Sequence, residues 1–250
     1  VVFSRFGFAI TLSALMLSLQ QAPLEAAPQP LSGVVIAIDP GHQLGNHNFP
    51  SKINRLVNAG GFKKACNSTG TATNSGFPEA TFTYLTARRV ARRLRDLGAV
   101  VYLTRTENSQ SLWGPCIDTR GLFGAKVGAD LTLSIHGDGS TSGGRGFHII
   151  APTLVKGYTG DIVKPSARLA RAMRSALLTA GYTPATYTAG GDGLDFRGDL
   201  GTLNRSDVPV VIAELGNMRS TRDAAWMSAP EGRDRMAAAL VRGLRAFLRR

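Results

Sequence analysis

Short apolar runs punctuate this chain, and between them apolar positions recur at helical spacing. Residues 34–38 are almost wholly apolar and stop at Asp39-Pro40-Gly41, which reads as a strand buried on both faces and closed by a turn. Residues 99–103 and 131–135 repeat that pattern, 146–150 can form a further strand, and the β-branched run 208–213 ends on Glu214. Pro78 stands at a first-turn position, and after it Phe82, Leu85, Val90, Leu94 and Leu97 return at helical intervals until Gly98 stops them. Residues 118–128 and 166–180 predict two more helices, and Met236, Leu240, Leu244, Phe247 and Leu248 line one face of a terminal one. Strands alternating with helices, several of them apolar throughout, predict a single α/β domain with a mostly parallel sheet covered by helices on both faces. Residues 43–78 show no sustained periodicity and are expected to be a long loop, and the Gly/Asp-rich stretch 190–201 an active-site loop rather than a linker.

Composition adds a destination. Arg5 precedes an apolar run, residues 6–19, that is too short to span a bilayer as a helix and is followed by Pro-rich sequence. Residues 1–27 are therefore expected to be a signal peptide processed near Ala27, leaving a catalytic unit over 28–250. A buried N-terminal helix or an uncleaved membrane anchor is the alternative. The only cysteines, Cys66 and Cys116, lie in segments rich in Gly, Asn, Thr and Pro. In an exported chain such a pair points to one disulfide, and a free buried pair is the other reading. Neither has CxxC spacing, which argues against a thiolate metal site.

The net charge is +12, and loss of residues 1–27 removes only Arg5 and Glu25, so the charge persists. A basic surface favours an anionic partner. The arginines at 88, 89, 92 and 93 and at 168, 171 and 174 fall on helix faces without interleaved aromatics, which argues against nucleic acid. For an exported chain, wall polymers bearing carboxylates or phosphates fit better, although solvated helix faces account for most of these arginines.

The chemistry lies at strand ends. His42 follows residues 34–38, His136 follows 131–135, and Glu214 follows 208–213, so sheet geometry puts all three at one edge. Glu79 opens the helix after the first strand and starts from the same edge. Two histidines and a carboxylate leave tetrahedral zinc one open position for water, as in catalytic rather than structural sites. Glu214 is then free to move that water's proton to a leaving amine, which amide hydrolysis requires. A carboxylate inside Val-Ile-Ala-Glu-Leu-Gly also costs several kcal/mol unless it is paired or hydrogen-bonded. His47 and His148 are the rival ligands.

The succession Ile36-Ala37-Ile38-Asp39-Pro40-Gly41-His42, Glu79 opening a helix, Leu103-Thr104-Arg105, residues 129–136 ending in His136, and residues 209–216 around Glu214 resembles the zinc-dependent N-acetylmuramoyl-L-alanine amidases of the amidase-3 type. The resemblance covers about residues 33–249. It implies a twisted, mixed sheet with helices on both sides and a peptidoglycan hydrolase that cuts between the lactyl group of N-acetylmuramic acid and the first L-alanine of the stem peptide. It also implies one zinc ion on His42, Glu79 and His136, with Glu214 as the catalytic glutamate. Gly137-Asp138 and Asn217-Met218 depart from the residues usual beside these motifs, which bears on substrate preference. Arg197 is assigned to a stem-peptide carboxylate, and a monomer is the default expectation. A non-catalytic wall-binding module and an exported zinc deacetylase are the competing readings; a zincin peptidase would need His-Glu-x-x-His, which is absent.

Overall fold

The computed structural model describes residues 1–4, 7, 29–141, 143–188 and 190–249. The expected export segment lies outside them apart from residues 1–4 and 7. The first apolar run becomes β1 (Val35–Pro40), followed by a 3-10 turn (Asn46–Asn48), α1 (Pro50–Ile53), β2 (Leu56–Asn58) and β3 (Lys63–Ala65). The chain continues through α2 (Glu79–Arg95), β4 (Val100–Leu103), α3 (Ile117–Lys126), β5 (Leu131–Asp138) and β6 (His148–Pro152). It ends with α4 (Val163–Thr179), β7 (Leu194–Arg197), α5 (Gly201–Asn204), β8 (Val210–Asn217), α6 (Thr221–Ser228) and α7 (Pro230–Leu248).

Six strands form one sheet in the order β4-β1-β5-β8-β6-β7, parallel throughout except where β6 runs antiparallel to β8. Alternation splits the strand residues into two sets. Ile36, Ile38, Leu131, Leu133, Ile135, Val211, Ala213 and Leu215 share one core with Val90 and Leu94 of α2, Leu169 and Met173 of α4, and Leu240 and Leu244 of α7. The residues between them face α3 and α5, and there the sheet turns polar: Asp39, Thr132 and Ser134 are all fully buried. That polar row leads to the carboxyl ends of β5 and β8.

After β1 the chain crosses through α2 to β4 on one side, and later returns through α3 to β5 on the other. The crevice between the carboxyl ends of β1 and β5 is therefore the topological switch point, where open α/β sheets bind their ligands.

The stretch 43–78 is not a plain loop. It holds the antiparallel β2-β3 hairpin, whose three-residue strands are too short to register as a period. Cys66, just after β3, is bonded to Cys116 at the start of α3, and both are buried with Val57. The bridge closes a loop of sequence separation 50, which in the chain-entropy model stabilises the fold by about 4 kcal/mol. Reduction, or Cys116→Ser with Cys66→Ser, is expected to lower the urea midpoint accordingly; an unchanged midpoint would mean the hairpin holds without it. The stretch 190–201 likewise contains β7, which pairs in parallel with β6.

Candidate metal centre

His42 comes two residues after β1 in the left-handed region, at φ 56°, a conformation rare for any residue but glycine. Two buried arginines hold that backbone. Arg120 of α3 donates to the carbonyls of Pro40 (2.7 Å), His42 (2.8 Å) and Gly114 (3.2 Å). Arg105 donates to those of Pro40 (3.0 Å), Gly41 (3.2 Å) and Ala80 (2.7 Å), tying the turn to the start of α2. Arg120 also bonds Asp39, whose carboxylate accepts from Thr104 (2.5 Å) and Ser134 (2.6 Å). Burial alone would raise the Asp39 pKa; Arg120 and the two hydroxyls outweigh it and hold the group below the usual carboxylate range.

Against this frame three side chains converge. Glu79 Oε1 lies 3.2 Å from His42 Nε2 and 3.0 Å from His136 Nδ1, and all three ligand atoms fall within 4.8 Å of one another. Two of them are oriented from behind. His42 Nδ1 is 3.2 Å from the carbonyl of Ser68, a contact that orients the ring with Nε2 toward Glu79. Glu79 Oε2 accepts from the Thr71 amide (2.9 Å) and Oε1 from the Gly137 amide (3.1 Å). Gly41 has no side chain because His136 needs the room: a Cβ there would meet the imidazole at 2.3 Å. Burial works to raise the Glu79 pKa, but His42 and His136 beside it hold the carboxyl far below its ordinary value. The donor set, two imidazole nitrogens and one ionised carboxylate, suits a divalent transition metal with a coordination position left over.

Glu214 sits in register opposite His136 on β8, so both project from the same face. Its Oε2 is buried without a hydrogen-bond partner. Burial, then the nearby carboxylates Glu79 and Asp138, push its pKa well above the usual range, with Arg197 opposing. His42, His136 and Glu214 open onto a cavity of 370 Å³, bounded on one side by Lys64, Asn67 and Ser68 of the hairpin arm and on another by Arg197 and Thr202. The disulfide thus anchors one wall of the site.

The structure brings His42, Glu79 and His136 together and places Glu214 beside them, although β5 and β8 run on through His136 and Glu214 rather than ending before them. His47 is exposed in its 3-10 turn, away from the cluster. His148 is buried on β6, facing Glu214 across the antiparallel register, and is not among the converging ligands. Arg197 reaches the cavity, but both prongs of its guanidinium hold Asp199, at 2.9 and 2.8 Å, and Lys64 also reaches that carboxylate at 3.5 Å. Sequence reasoning missed Arg120, Ser68 and Thr71, which contribute through folded geometry and carry no local signal.

Residues 36–246 match the family described as N-acetylmuramoyl-L-alanine amidase. An N-acetylmuramoyl-L-alanine amidase of Mycobacterium tuberculosis is 41% identical over 226 residues, 89% of this chain and 90% of that protein. The crystal structure of an N-acetylmuramyl-L-alanine amidase from Mycobacterium smegmatis superposes with a TM-score of 0.81 at 37% identity, over 87% of this chain and 98% of that one. That of Mycobacterium abscessus gives 0.80 at 41% identity, over 87% and 99%.

Proposed function

The chain belongs to the N-acetylmuramoyl-L-alanine amidase family, and from that premise we propose that it hydrolyses peptidoglycan at the amide joining the lactyl group of N-acetylmuramic acid to the L-alanine of the stem peptide. One zinc ion per chain is held by His42, Glu79 and His136, and Glu214 moves the protons. The convergence of those three ligand atoms beside a buried carboxyl with a free oxygen carries this reading.

Zinc at the triad supplies Lewis-acid charge, which polarises an amide carbonyl and acidifies water. The protein's part is to place a proton carrier against that spot. Glu214 has one oxygen unpaired, and burial with the neighbouring carboxylates raises its proton affinity, so it can take a proton from attacking water and return it to the alanine nitrogen. Without that second transfer the amine is a poor leaving group. Water attacks the carbonyl carbon, the C–N bond breaks, and the products are a lactyl carboxylate and a free peptide amino terminus. A substrate peptide would enter between the hairpin arm and β7, whose residues Lys64, Ser68 and Arg197 line the cavity.

Arg197 is assigned to a carboxylate of the stem peptide, which it reaches by exchanging its bond with Asp199 for one with substrate. Arg197→Ala is expected to raise KM several-fold with kcat little changed; an unchanged KM would remove the assignment. Peptidoglycan as substrate implies work outside the cytoplasmic membrane, and the disulfide is compatible with an oxidising compartment. Among the described residues no helix is long and apolar enough to cross a membrane. A monomer remains the proposed state.

The reaction is tested by labelling the amino groups that appear when purified peptidoglycan is digested. Labelled amino-terminal alanine supports amide cleavage at the lactyl group. Labelled glucosamine or muramic acid with release of acetate would make the enzyme a deacetylase instead.

A further inference from the structure

A second cavity lies apart from the metal site. A groove of 510 Å³ runs between α2 and the edge strand β4, with Leu85, Ala91 and Leu103 in its floor and Arg88, Arg92 and Arg95 on its rim. Among the described residues, Arg89 alone of its arginines pairs with a carboxylate, that of Asp234 at 3.1 Å. Arg88 lies over the ring of Tyr84, Arg95 donates to the Val101 carbonyl at 2.6 Å, and Arg92 meets no carboxylate among the described residues. Like charges three and four residues apart disfavour a helix. Proximity to the helix C-terminus explains Arg92 and Arg95, but it does not explain Arg88 in mid-helix or the hollow between the arginines and β4.

Position identifies the occupant. Glu79 opens α2 at the metal centre, and at 1.5 Å per residue Arg88 to Arg95 lie roughly 13 to 24 Å further along the same helix. The groove begins at Thr106, where the Tyr84 hydroxyl bonds the Thr106 carbonyl at 2.8 Å, just beyond the carboxyl end of β4 and so on the edge of the sheet that carries the metal centre. We propose that this arginine stripe docks carboxylates of uncut stem peptides on the same peptidoglycan network, holding the polymer while a neighbouring stem is cleaved. The proposal rests on the amidase reading. Substrate peptides carry free carboxylates, and the groove offers Arg88 and Arg92, exposed guanidinium groups with no carboxylate partner among the described residues.

The test is sedimentation of the full chain with purified sacculi on ice, at rising salt, comparing wild type with R88Q/R92Q and with K164Q/R171Q. The last pair removes the same charge from the exposed face of α4. At about 50 mM salt R88Q/R92Q is expected to bind roughly tenfold more weakly, and K164Q/R171Q less than about twofold. Sacculi whose carboxyls have been amidated should hold the wild type no better than native sacculi hold R88Q/R92Q. Equal losses in the two variants would mean that attraction is spread over the whole surface, and undiminished binding to amidated sacculi would remove the carboxylate; either overturns the proposal. So would loss of binding to phosphatidylglycerol vesicles in R88Q/R92Q while sacculi binding stays intact, which would reassign the groove to lipid headgroups. Hydrolysis of a soluble muropeptide by the wild type reads the amidase assignment separately, so a protein that binds as expected and cuts nothing would sink that assignment alone.

Discussion

Glu214→Gln is expected to lower turnover by about three orders of magnitude while leaving the metal in place and the fold no less stable. General acid-base transfer contributes roughly 10²- to 10⁴-fold, and amide cleavage needs it twice. Glutamine keeps the shape and the hydrogen-bonding reach but cannot carry a proton. The stability half follows from the sign of the shift: burial and the carboxylates Glu79 and Asp138 raise the folded-state pKa of Glu214. A folded state that binds the proton more tightly than the unfolded chain loses stability as pH rises between the two pKa values. Replacing the group removes that loss, so metal-free Glu214→Gln should melt at the same temperature as the metal-free wild type at acid pH and above it at neutral pH. Substantial residual turnover would transfer the proton-carrying role to another group, with Asp138, the neighbouring carboxylate outside the ligand triad, the first candidate.

The second large effect is structural. Asp39→Asn leaves Arg120 charged and buried without its counter-ion, which by analogy with other broken buried pairs costs about 3–5 kcal/mol. For a domain of this size that is a fall in Tm of roughly 6–20 °C. Asp39 has its pKa depressed in the folded state by Arg120, Ser134 and Thr104 against the opposing pull of burial. Its contribution is therefore fully present above the unfolded carboxylate pKa and is lost as pH falls through the lower folded value, so the gap between wild type and Asp39→Asn should close in strong acid. Arg120→Met should cost at least as much, because Arg120 also holds the carbonyls of Pro40 and His42. The double variant should be less destabilised than the sum of the two, since no uncompensated charge remains. Full additivity in calorimetry would mean that the two residues act independently.

That pair shows where reading the sequence reaches its limit. β1, β5 and β8 are central strands covered on both faces, so each appears as an apolar run, and the polar residue at its far end stands out. His42, His136 and Glu214 were legible for that reason, and Glu79 because a helix start is visible in Pro78 and in the spacing from Phe82 onward. Asp39 was read as part of a turn, whereas it ends the buried polar row of the sheet and bonds a helix 81 residues later. No local pattern encodes a partner so distant. The β2-β3 hairpin and β7 escaped because three- and four-residue strands in Gly-, Asn- and Asp-rich sequence give no usable period. The antiparallel placement of β6 escaped because its direction is set by pairing with β8, not by its own residues.

The most direct test of the mechanism is mass spectrometry of soluble muropeptides digested in ¹⁸O-enriched water, with the zinc-loaded wild type, the chelated protein and Glu214→Gln run side by side. Only the zinc-loaded wild type should release free stem peptides, with a single ¹⁸O entering the muramic acid carboxylate and none the peptide. Equal release from the chelated protein or from Glu214→Gln, or label appearing in the peptide or in acetate, would contradict the assignment of the metal, the glutamate or the scissile bond respectively.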